Sequence, residues 1–310
     1  MSHRLDAEAS AGLFFRDELR HVLPQALEKV YADIPYSRLV PISNEIPEGA
    51  ETYKYDMYDR TGEFNLIADY ADDLPTSDVR RGEVINNIRP FGGSFKYTVD
   101  ELRKAIFAKQ SIEQRRADAV KQSYEERANR VCLFGQAGTG LKGFFNHPTV
   151  DKVVSTGSAN DGWFDGSAIT PAQMRRILQQ GVDYMVDGTR MVERPDTMLL
   201  PYLVHQKLIT TINEAGTDTT VLEFFLKSNP FIRNVEAINE LTPANSSGNL
   251  SAERIVFYKR DPMKLKFHIP MPLKFHNPQQ RNLVWTVPAE AKFGGVQLSY
   301  PKSILYVDKG

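Results

Sequence analysis

Residues 99–130 restrict the fold more than any other part of this sequence, because they contain neither glycine nor proline. As one α-helix this stretch would extend about 48 Å. Thr98 and Glu101 form the capping-box pattern that begins a helix. Apolar residues are sparse among eight basic and six acidic side chains, too sparse for the a and d positions of a free coiled coil. We therefore predict one long helix over 99–130, a spine that lies across a sheet or along an oligomer surface.

Two extended segments precede this helix. Residues 52–58 alternate between aromatic or apolar and polar side chains, and residues 59–62 form a turn signal. A second extended run covers 84–97, and about 25 irregular, acid-rich residues separate the two runs. A loop of this length with little apolar content cannot pack a core of its own, so it is either disordered or ordered by a partner. We predict a long acidic two-stranded loop.

The remaining pattern indicates a mixed α+β chain with its strands late in the sequence, rather than a regular βαβ alternation. Residues 15–30 have helical spacing that Pro24 interrupts, and Thr170-Pro171 begins another helix. The other predicted helices are 201–212 and 219–227, and the predicted strands are 197–200, 254–260, 282–287, 296–299 and 303–307.

Composition excludes several classes of protein. The 38 basic and 39 acidic residues leave a net charge of −1, which lacks the basic excess of a dedicated nucleic-acid binder. The single cysteine, Cys132, excludes an internal disulfide and a multi-cysteine metal site. The most apolar window, 198–204, has seven residues and contains Pro201, so it is far too short to span a membrane.

Candidate enzymatic motifs are weak. Residues 138–143 match the GxGxxG letters of a dinucleotide site, but a predicted helix rather than a strand precedes them and Pro148 follows closely. Cys132 with His147, and His268 with His276, have no third group that would complete a catalytic or metal site. We predict no catalytic, cofactor-binding or metal-ligating residue and no enzyme. A nucleotide-dependent enzyme that uses the loop 138–143 remains the alternative from another class.

Charge is separated along the nearly neutral chain. Residues 44–83 contain eleven acidic and four basic residues, a net charge of −7, whereas residues 254–281 have a net charge of +6. One interpretation is two solvated faces, and the other is complementarity between the acidic loop of one copy and the basic segment of the next. The candidate inter-subunit contact residues are Asp59, Arg60, Glu63, Asp69, Asp72, Asp73, Lys264, Lys266 and Lys274.

The order of these parts, from about residue 13 to the end, resembles that of tailed-bacteriophage major capsid proteins. The similarity also extends to short motifs, which are Pro90 with Phe-Gly-Gly-Ser-Phe at 91–95, Gly-Leu-Lys-Gly-Phe-Phe-Asn at 140–146, Asn-Leu-Val-Trp at 282–285, Gly-Gly-Val at 294–296 and Tyr-Pro at 300–301. These motifs are architectural rather than catalytic.

The resemblance implies an α+β capsid fold of the Hong Kong ninety-seven type. Its parts would be an N-terminal arm (1–45), an extended loop (46–90), a peripheral domain with the spine helix (91–134), an axial domain (135–270) and C-terminal strands that complete the peripheral domain (271–310).

The function implied by the resemblance is self-assembly, through rings of six and five copies, into an icosahedral head around double-stranded DNA. The DNA would be contacted non-specifically, and scaffold, portal or decoration proteins would be further partners. The subunit would lie in the virion after assembly in the host cytoplasm, with no membrane and no cofactor. An encapsulin-like bacterial compartment, which shares the fold, is the alternative.

Overall fold

The computed structural model describes residues 33–62, 77–107, 112–155, 163–164, 169–214 and 217–310. The predicted helix at 15–30 lies outside these residues. The helices are α1 Tyr36–Leu39, α2 Val99–Phe107, α3 Ile112–Phe134, α4 Pro171–Gly188, α5 Tyr202–Thr210 and α6 Val221–Ser228. The strands are β1 Ile42–Ser43, β2 Thr52–Thr61, β3 Asp78–Asn87, β4 Arg89–Thr98, β5 Asp151–Ser155, β6 Thr197–Leu200, β7 Asn234–Ala237, β8 Arg254–Tyr258, β9 Leu265–His268, β10 Met271–Phe275, β11 Gln279–Arg281, β12 Val284–Phe293, β13 Gly295–Leu298 and β14 Ile304–Lys309.

These strands form four sheets in the described part of the chain. The largest has the order β5-β14-β8-β6-β7, and a second has the order β1-β9-β13. In the third, β12 pairs along its whole length with β4 on one side and with β10 and β11 on the other. Strands β2 and β3 pair only with each other, in an antiparallel register from Thr52–Asn87 to Thr61–Asp78. The predicted two-stranded loop is therefore present as a separate two-stranded sheet.

Two apolar cores lie on opposite faces of the five-stranded sheet. Val256 and Tyr306 belong to the core that also contains the end of α3, whereas Phe257 and Leu305 belong to the core beneath α4, α5 and α6. Neighbouring residues of β8 and β14 are thus buried on opposite faces, as expected for central strands that are covered on both sides.

The position of β14 corrects one predicted boundary. We predicted that residues 271–310 complete the unit built on the spine helix. Strand β12 does pair with β4, immediately before that helix. Strand β14 instead lies inside the five-stranded sheet, between β5 and β8 of the predicted axial segment 135–270. The reason is that β14 is apolar on both faces, so the interior of a covered sheet buries it better than an edge would.

The predicted spine helix 99–130 also requires correction. The structure has two helices, α2 and α3, and residues 108–111 between them lie outside the described part. In one straight helix, Glu101 and Arg116 would be about 22 Å apart along the axis. Their side chains instead form an ion pair with a nitrogen–oxygen distance of 3.1 Å, so the helix axis changes direction between them. The capping box is confirmed, because Thr98 Oγ1 accepts from the Glu101 amide and Glu101 accepts from the Thr98 amide.

Candidate assembly surfaces

The base of the two-stranded loop is anchored to the body of the subunit by the hydroxyls of two half-buried tyrosines. Tyr53 on β2 donates to the carbonyl oxygen of Gly294 at 3.2 Å, and Tyr55 donates to that of Leu298 at 3.0 Å. The buried amide of Asn86, on β3, donates to the Tyr53 hydroxyl at 3.0 Å. Burial raises the pKa of both tyrosines above the usual phenol value, so both stay protonated donors. These bonds fix where the loop leaves the body.

A histidine packs beside this anchor. The ring of His268, at the end of β9, lies 4.7 Å from the ring of Tyr53. Its Nε2 is 2.6 Å from the side-chain oxygen of Gln297. Burial lowers the pKa of His268 below its ordinary value, so the ring is neutral at pH 7 and adds no charge to the anchor.

Beyond the anchor, the two-stranded loop leaves its own body. Every residue from Asp78 to Glu83 on β3 is exposed, although successive side chains of a strand point to opposite faces. Tyr58 is 65% exposed and Val79 is 55% exposed. Neither face of this outer part is therefore covered by the described residues of the same chain.

Charged pairs within the outer part hold its two strands together. Asp56 and Glu83 occupy directly opposite positions, an arrangement that destabilises a strand pair when both side chains carry the same charge. Arg81 lies 2.8 Å from Asp56 and 3.3 Å from Glu83, and Lys54 lies 3.3 Å from Glu83. These two cations offset the repulsion between the two carboxylates.

Two of the three lysines predicted to meet a neighbour's acidic loop are paired within their own chain. Lys264 pairs with the buried Glu193, and Lys266 pairs with Glu45 at 3.1 Å. The hydrogen bond and positive charge of Lys266 lower the pKa of Glu45. The third lysine, Lys274, is exposed on β10 and forms no ion pair with a described residue.

The predicted acidic contacts fall mainly in the undescribed part of the loop. Asp59 and Arg60 lie on β2, and their side chains are outside the described part. Glu63, Asp69, Asp72 and Asp73 also lie outside the described residues. The inter-subunit pairing of these six side chains with the three lysines therefore stays a prediction.

The residues on either side of the glycine-rich segment 138–143 close the end of α3. The backbone amide of Gly135 donates to a carbonyl oxygen in the last turn of the helix. The amides of Phe144 and Phe145 donate to the carbonyl oxygens of Cys132 and Leu133, at 2.8 and 2.7 Å. A Cβ at Gly143 would lie 2.2 Å from the Phe134 carbonyl carbon, so only glycine permits this approach. No helix begins at Gly143, so the helix N-terminus that a dinucleotide site requires is missing here.

The other candidate enzymatic residues have structural surroundings. Cys132 is fully buried, and burial raises its thiol pKa well above the ordinary value. His147 contacts Thr149 through Nδ1 at 2.8 Å, and burial, assisted by the charge of Lys142, lowers its pKa to about 4. Among the described residues there is no cluster of three or more metal-ligating side chains. No helix in that part of the chain is both long and apolar enough to cross a bilayer.

Two exposed apolar patches were not predicted from the sequence. The α5 patch consists of Tyr202 and Leu203, which line one groove, and the α4 patch consists of Val154, Tyr184 and Met191, which line another. The signal for the first was available, because the window 198–204 is the most apolar of the sequence. The sequence predicted a strand at 197–200 and a helix at 201–212, but not which of their residues are exposed; in the structure β6 is buried and the start of α5 is exposed.

This subunit anchors a strand pair at its base, and its described residues leave the outer part of that pair uncovered. Such a surface is typical of the class of proteins that associate with further chains. The comparisons with known proteins define that class. The family model described as "Major capsid protein" matches residues 62–309, and the chain belongs to this family. Its role is that of a structural capsid subunit, and the resemblance in the sequence is confirmed. No curated protein matches the sequence.

The solved structures with the same fold include phage capsids. A chain of the capsid of Myoviridae phage XM1 superposes with a TM-score of 0.78 at 15% identity, covering 95% of this chain and 98% of that chain. A Mycobacterium phage Ogopogo chain gives 0.62 at 14% identity and covers 96% and 98%. A virus-like particle from Pyrococcus furiosus gives 0.52 at 10% identity and covers 88% and 91%. The tailed-phage capsid fold of the Hong Kong ninety-seven type is thereby confirmed.

These findings also rank the two alternatives. The encapsulin-like compartment is not favoured, because the matching family model is that of major capsid proteins. The nucleotide-dependent enzyme is not favoured either, because no helix begins at Gly143 to supply the N-terminus that a dinucleotide site requires.

Proposed function

We propose that this subunit self-assembles into a closed icosahedral head that encloses double-stranded DNA, and that its two-stranded loop lies on a neighbouring copy. The observation that carries the proposal is the exposure of Asp78–Glu83 on both faces of β3, beyond an anchored base. A strand pair without a core of its own is marginally stable in water. Contact with a neighbour buries it and couples its ordering to assembly.

The near-zero net charge of the chain suits this role. With a formal net charge of −1, hundreds of copies can pack together without strong mutual repulsion. Such a subunit contacts packaged DNA non-specifically. We further propose rings of six and five copies, assembly in the host cytoplasm, and scaffold, portal or decoration proteins as additional partners of the virion.

Charge guides the loop onto its neighbour in this proposal. The acidic segment 44–83 of one copy faces the basic segment 254–281 of the next. Because Arg254, Lys264 and Lys266 are paired with carboxylates of their own chain, the basic residues that remain for a neighbour are Lys259, Arg260, Lys274 and Arg281. None of these four forms an ion pair within the described residues.

Negative-stain images of the purified chain test the proposed function. We expect shells, rings or tubes of uniform curvature. Chains that stay monomeric over a wide range of concentration and salt would contradict the proposal.

Charge reversal tests the guiding role of the loop. Replacing Asp69, Asp72 and Asp73 by lysine should block shell formation while circular dichroism still shows a folded subunit. Lys274→Glu in the same chain should restore part of the assembly, because Lys274 has no described ion partner that the change would break. Lys266→Glu is the matched control, since it also breaks the internal pair with Glu45. Normal assembly of the triple variant would refute complementarity.

A further inference from the structure

A buried histidine lies at the contact between the base of the two-stranded loop and the body of the subunit. His268, the last residue of β9, is 3% exposed. The centre of its ring is 4.7 Å from that of Tyr53 on β2, and its Nε2 is 2.6 Å from Gln297 on β13. A Cβ at Gly294, whose carbonyl accepts from the Tyr53 hydroxyl, would lie 3.1 Å from His268 and 3.2 Å from Tyr53. The ring is therefore tightly enclosed by the loop and the body together.

The hydrogen bonds of Gln297 determine which ring nitrogen carries the proton. The side-chain nitrogen of Gln297 donates to Ser299 Oγ at 3.1 Å, so the side-chain oxygen accepts from His268 Nε2. The neutral ring then has its proton on Nε2 and a lone pair on Nδ1. Nδ1 is buried and has no hydrogen-bond partner among the described residues. A second proton can bind only at this unpartnered atom.

The charges around the ring do not compensate a positively charged histidine. Burial is the largest influence on the pKa of His268 and lowers it. Glu45 raises this pKa and Lys266 lowers it, and the two side chains form an ion pair with each other at 3.1 Å. The side chains that β2, β3 and β13 contribute to the anchor are uncharged, and they are Tyr53, Asn86 and Gln297. Attraction to the Tyr53 ring offsets only part of the cost of burying a charge.

The loop is the element that can most easily move away from this ring. Strand β9 lies between β1 and β13 in its sheet, so backbone hydrogen bonds on both sides hold His268 in place. Among the described strands, β2 and β3 pair only with each other. Their base is attached to the body through the hydroxyls of Tyr53 and Tyr55. Movement of the base would break few hydrogen bonds and would expose Nδ1 to water.

We propose that His268 is a pH-sensitive switch at the loop base, and that protonation of its Nδ1 releases the base from β9 and β13. This inference goes beyond the proposed function, because it concerns a contact within one subunit and does not require assembly. It adds a means by which acid changes the freedom of the loop.

The direction of the response follows from the two pKa values of His268. In the released form the ring is solvated and has the ordinary pKa of 6.5, whereas burial in the anchored form lowers the pKa. The anchored form therefore has its full advantage above pH 6.5 and loses it as the pH falls towards the lowered pKa. Uptake of one proton changes the ratio of anchored to released base by at most about tenfold per pH unit.

Hydrogen exchange of the full chain at a series of pH values tests the switch. Protection factors, which correct for the intrinsic pH dependence of exchange, are measured for the amides of residues 52–55 and 84–87 from about pH 8 to about pH 5. We expect constant protection above pH 6.5 and a decline of up to about tenfold per pH unit below it. The amides of β14, inside the five-stranded sheet, should stay protected throughout.

Two histidine variants separate the switch from a general effect of acid. The side-chain amide of His268→Gln can still donate to Gln297 but cannot titrate, so protection of the loop base should become independent of pH. His147→Asn is the matched control, because His147 is also buried with a lowered pKa but its ring contacts Thr149. This control should keep the decline at the loop base.

A third variant keeps the proposal testable if His268→Gln loosens the loop base at every pH. Gln297→Glu places a carboxylate against Nε2, where it compensates the charged ring, so the base should stay protected down to about pH 5. Constant protection in the unaltered chain would overturn the switch. An equal decline in His268→Gln, or an unchanged decline in Gln297→Glu, would overturn it as well.

Discussion

At the scale of single residues, Gly143 shows how tightly the returning chain crosses the end of α3. Its position leaves no room for a side chain, because a Cβ would lie 2.2 Å from one backbone atom and 2.4 Å from another. The nearby Gly138 has a left-handed φ of 79° but has open space around it. The two glycines of one turn are therefore required for different reasons.

Substituting each glycine separates close approach from backbone conformation. We expect Gly143→Ala to lower the free energy of unfolding by about 3 kcal/mol, because the backbone must move to accept the methyl group. Gly138→Ala should cost only about 1 kcal/mol, the strain of a left-handed residue with a side chain. Urea unfolding followed by circular dichroism measures both. Equal losses would contradict the packing described for Gly143.

His147 makes stability depend on pH. Its pKa is lowered to about 4 in the folded chain, from an ordinary value of 6.5. The unfolded chain therefore binds the proton more readily, so the contribution is fully present above pH 6.5 and is lost as the pH falls towards 4. The loss at pH 4 is about 3 kcal/mol. His147→Asn should reduce the slope of unfolding free energy against pH in this window.

The outcome at higher pH serves as the control for His147. Above pH 7 the two proteins should differ by a constant amount, which reports the packing change alone. A variant that keeps the full slope between pH 6.5 and 4 would show that other groups cause the acid sensitivity. The buried Nε2, which has no partner within the described residues, is consistent with a ring that folds in its neutral form.

The sequence predicted some contacts of individual residues and missed others. The capping boxes at Thr98 and Thr170 were predictable, because a cap depends on residues only three positions apart. The burial of Glu193 beside Lys264 was not, because it depends on residues 71 positions apart in the chain. The internal pairs of Lys264 and Lys266 reduce the number of lysines that the charge pattern alone had offered to a neighbour.

At the scale of secondary-structure elements, the strands β2 and β3 depend on the tyrosine anchor. Tyr53→Phe leaves the carbonyl of Gly294 and the amide of Asn86 without the hydroxyl. We expect a loss of about 1–3 kcal/mol in unfolding free energy and faster hydrogen exchange at the base of the loop. Tyr58→Phe is the matched control, since Tyr58 lies on the same strand and is exposed. Equal effects of the two variants would refute the anchor.

The helix axis changes direction between α2 and α3, and a distance measurement tests this change. Spin labels at Glu101→Cys and Arg116→Cys should show strong dipolar broadening, because the native side chains meet and both helices pack on β4. One straight helix would separate the positions by about 22 Å along its axis. Spectra of the double variant that equal the sum of the single variants would support the straight helix and contradict the structure.

Sequence patterns alone predicted some element boundaries correctly and others incorrectly. Strand β6 was predicted with the observed limits, Thr197–Leu200, because a helix start follows it at once. The spine was predicted as one helix over 99–130, whereas the structure has α2 and α3, since the absence of glycine and proline permits a helix without requiring it to be straight. The partner strands of β14 were not predictable either, because strand order depends on contacts between distant segments.

At the scale of the whole molecule, one subunit contains surfaces that its own chain does not cover. The outer two-stranded loop and the α4 and α5 patches are all exposed, whereas the two cores are closed. The order of the sequence parts predicted the fold and the family. The exposed α4 and α5 patches were not predicted, because helical spacing does not show which face of a helix meets the core.

Hydrogen exchange of the loop in unassembled and assembled protein tests the central claim, that neighbouring copies complete the subunit. We predict that the amides of β3 between Asp78 and Glu83 exchange rapidly in the isolated subunit and slowly in the shell. The amides of β14, in the interior of the five-stranded sheet, should exchange slowly in both states and serve as the control. Equal protection of β3 in the two states would contradict the account.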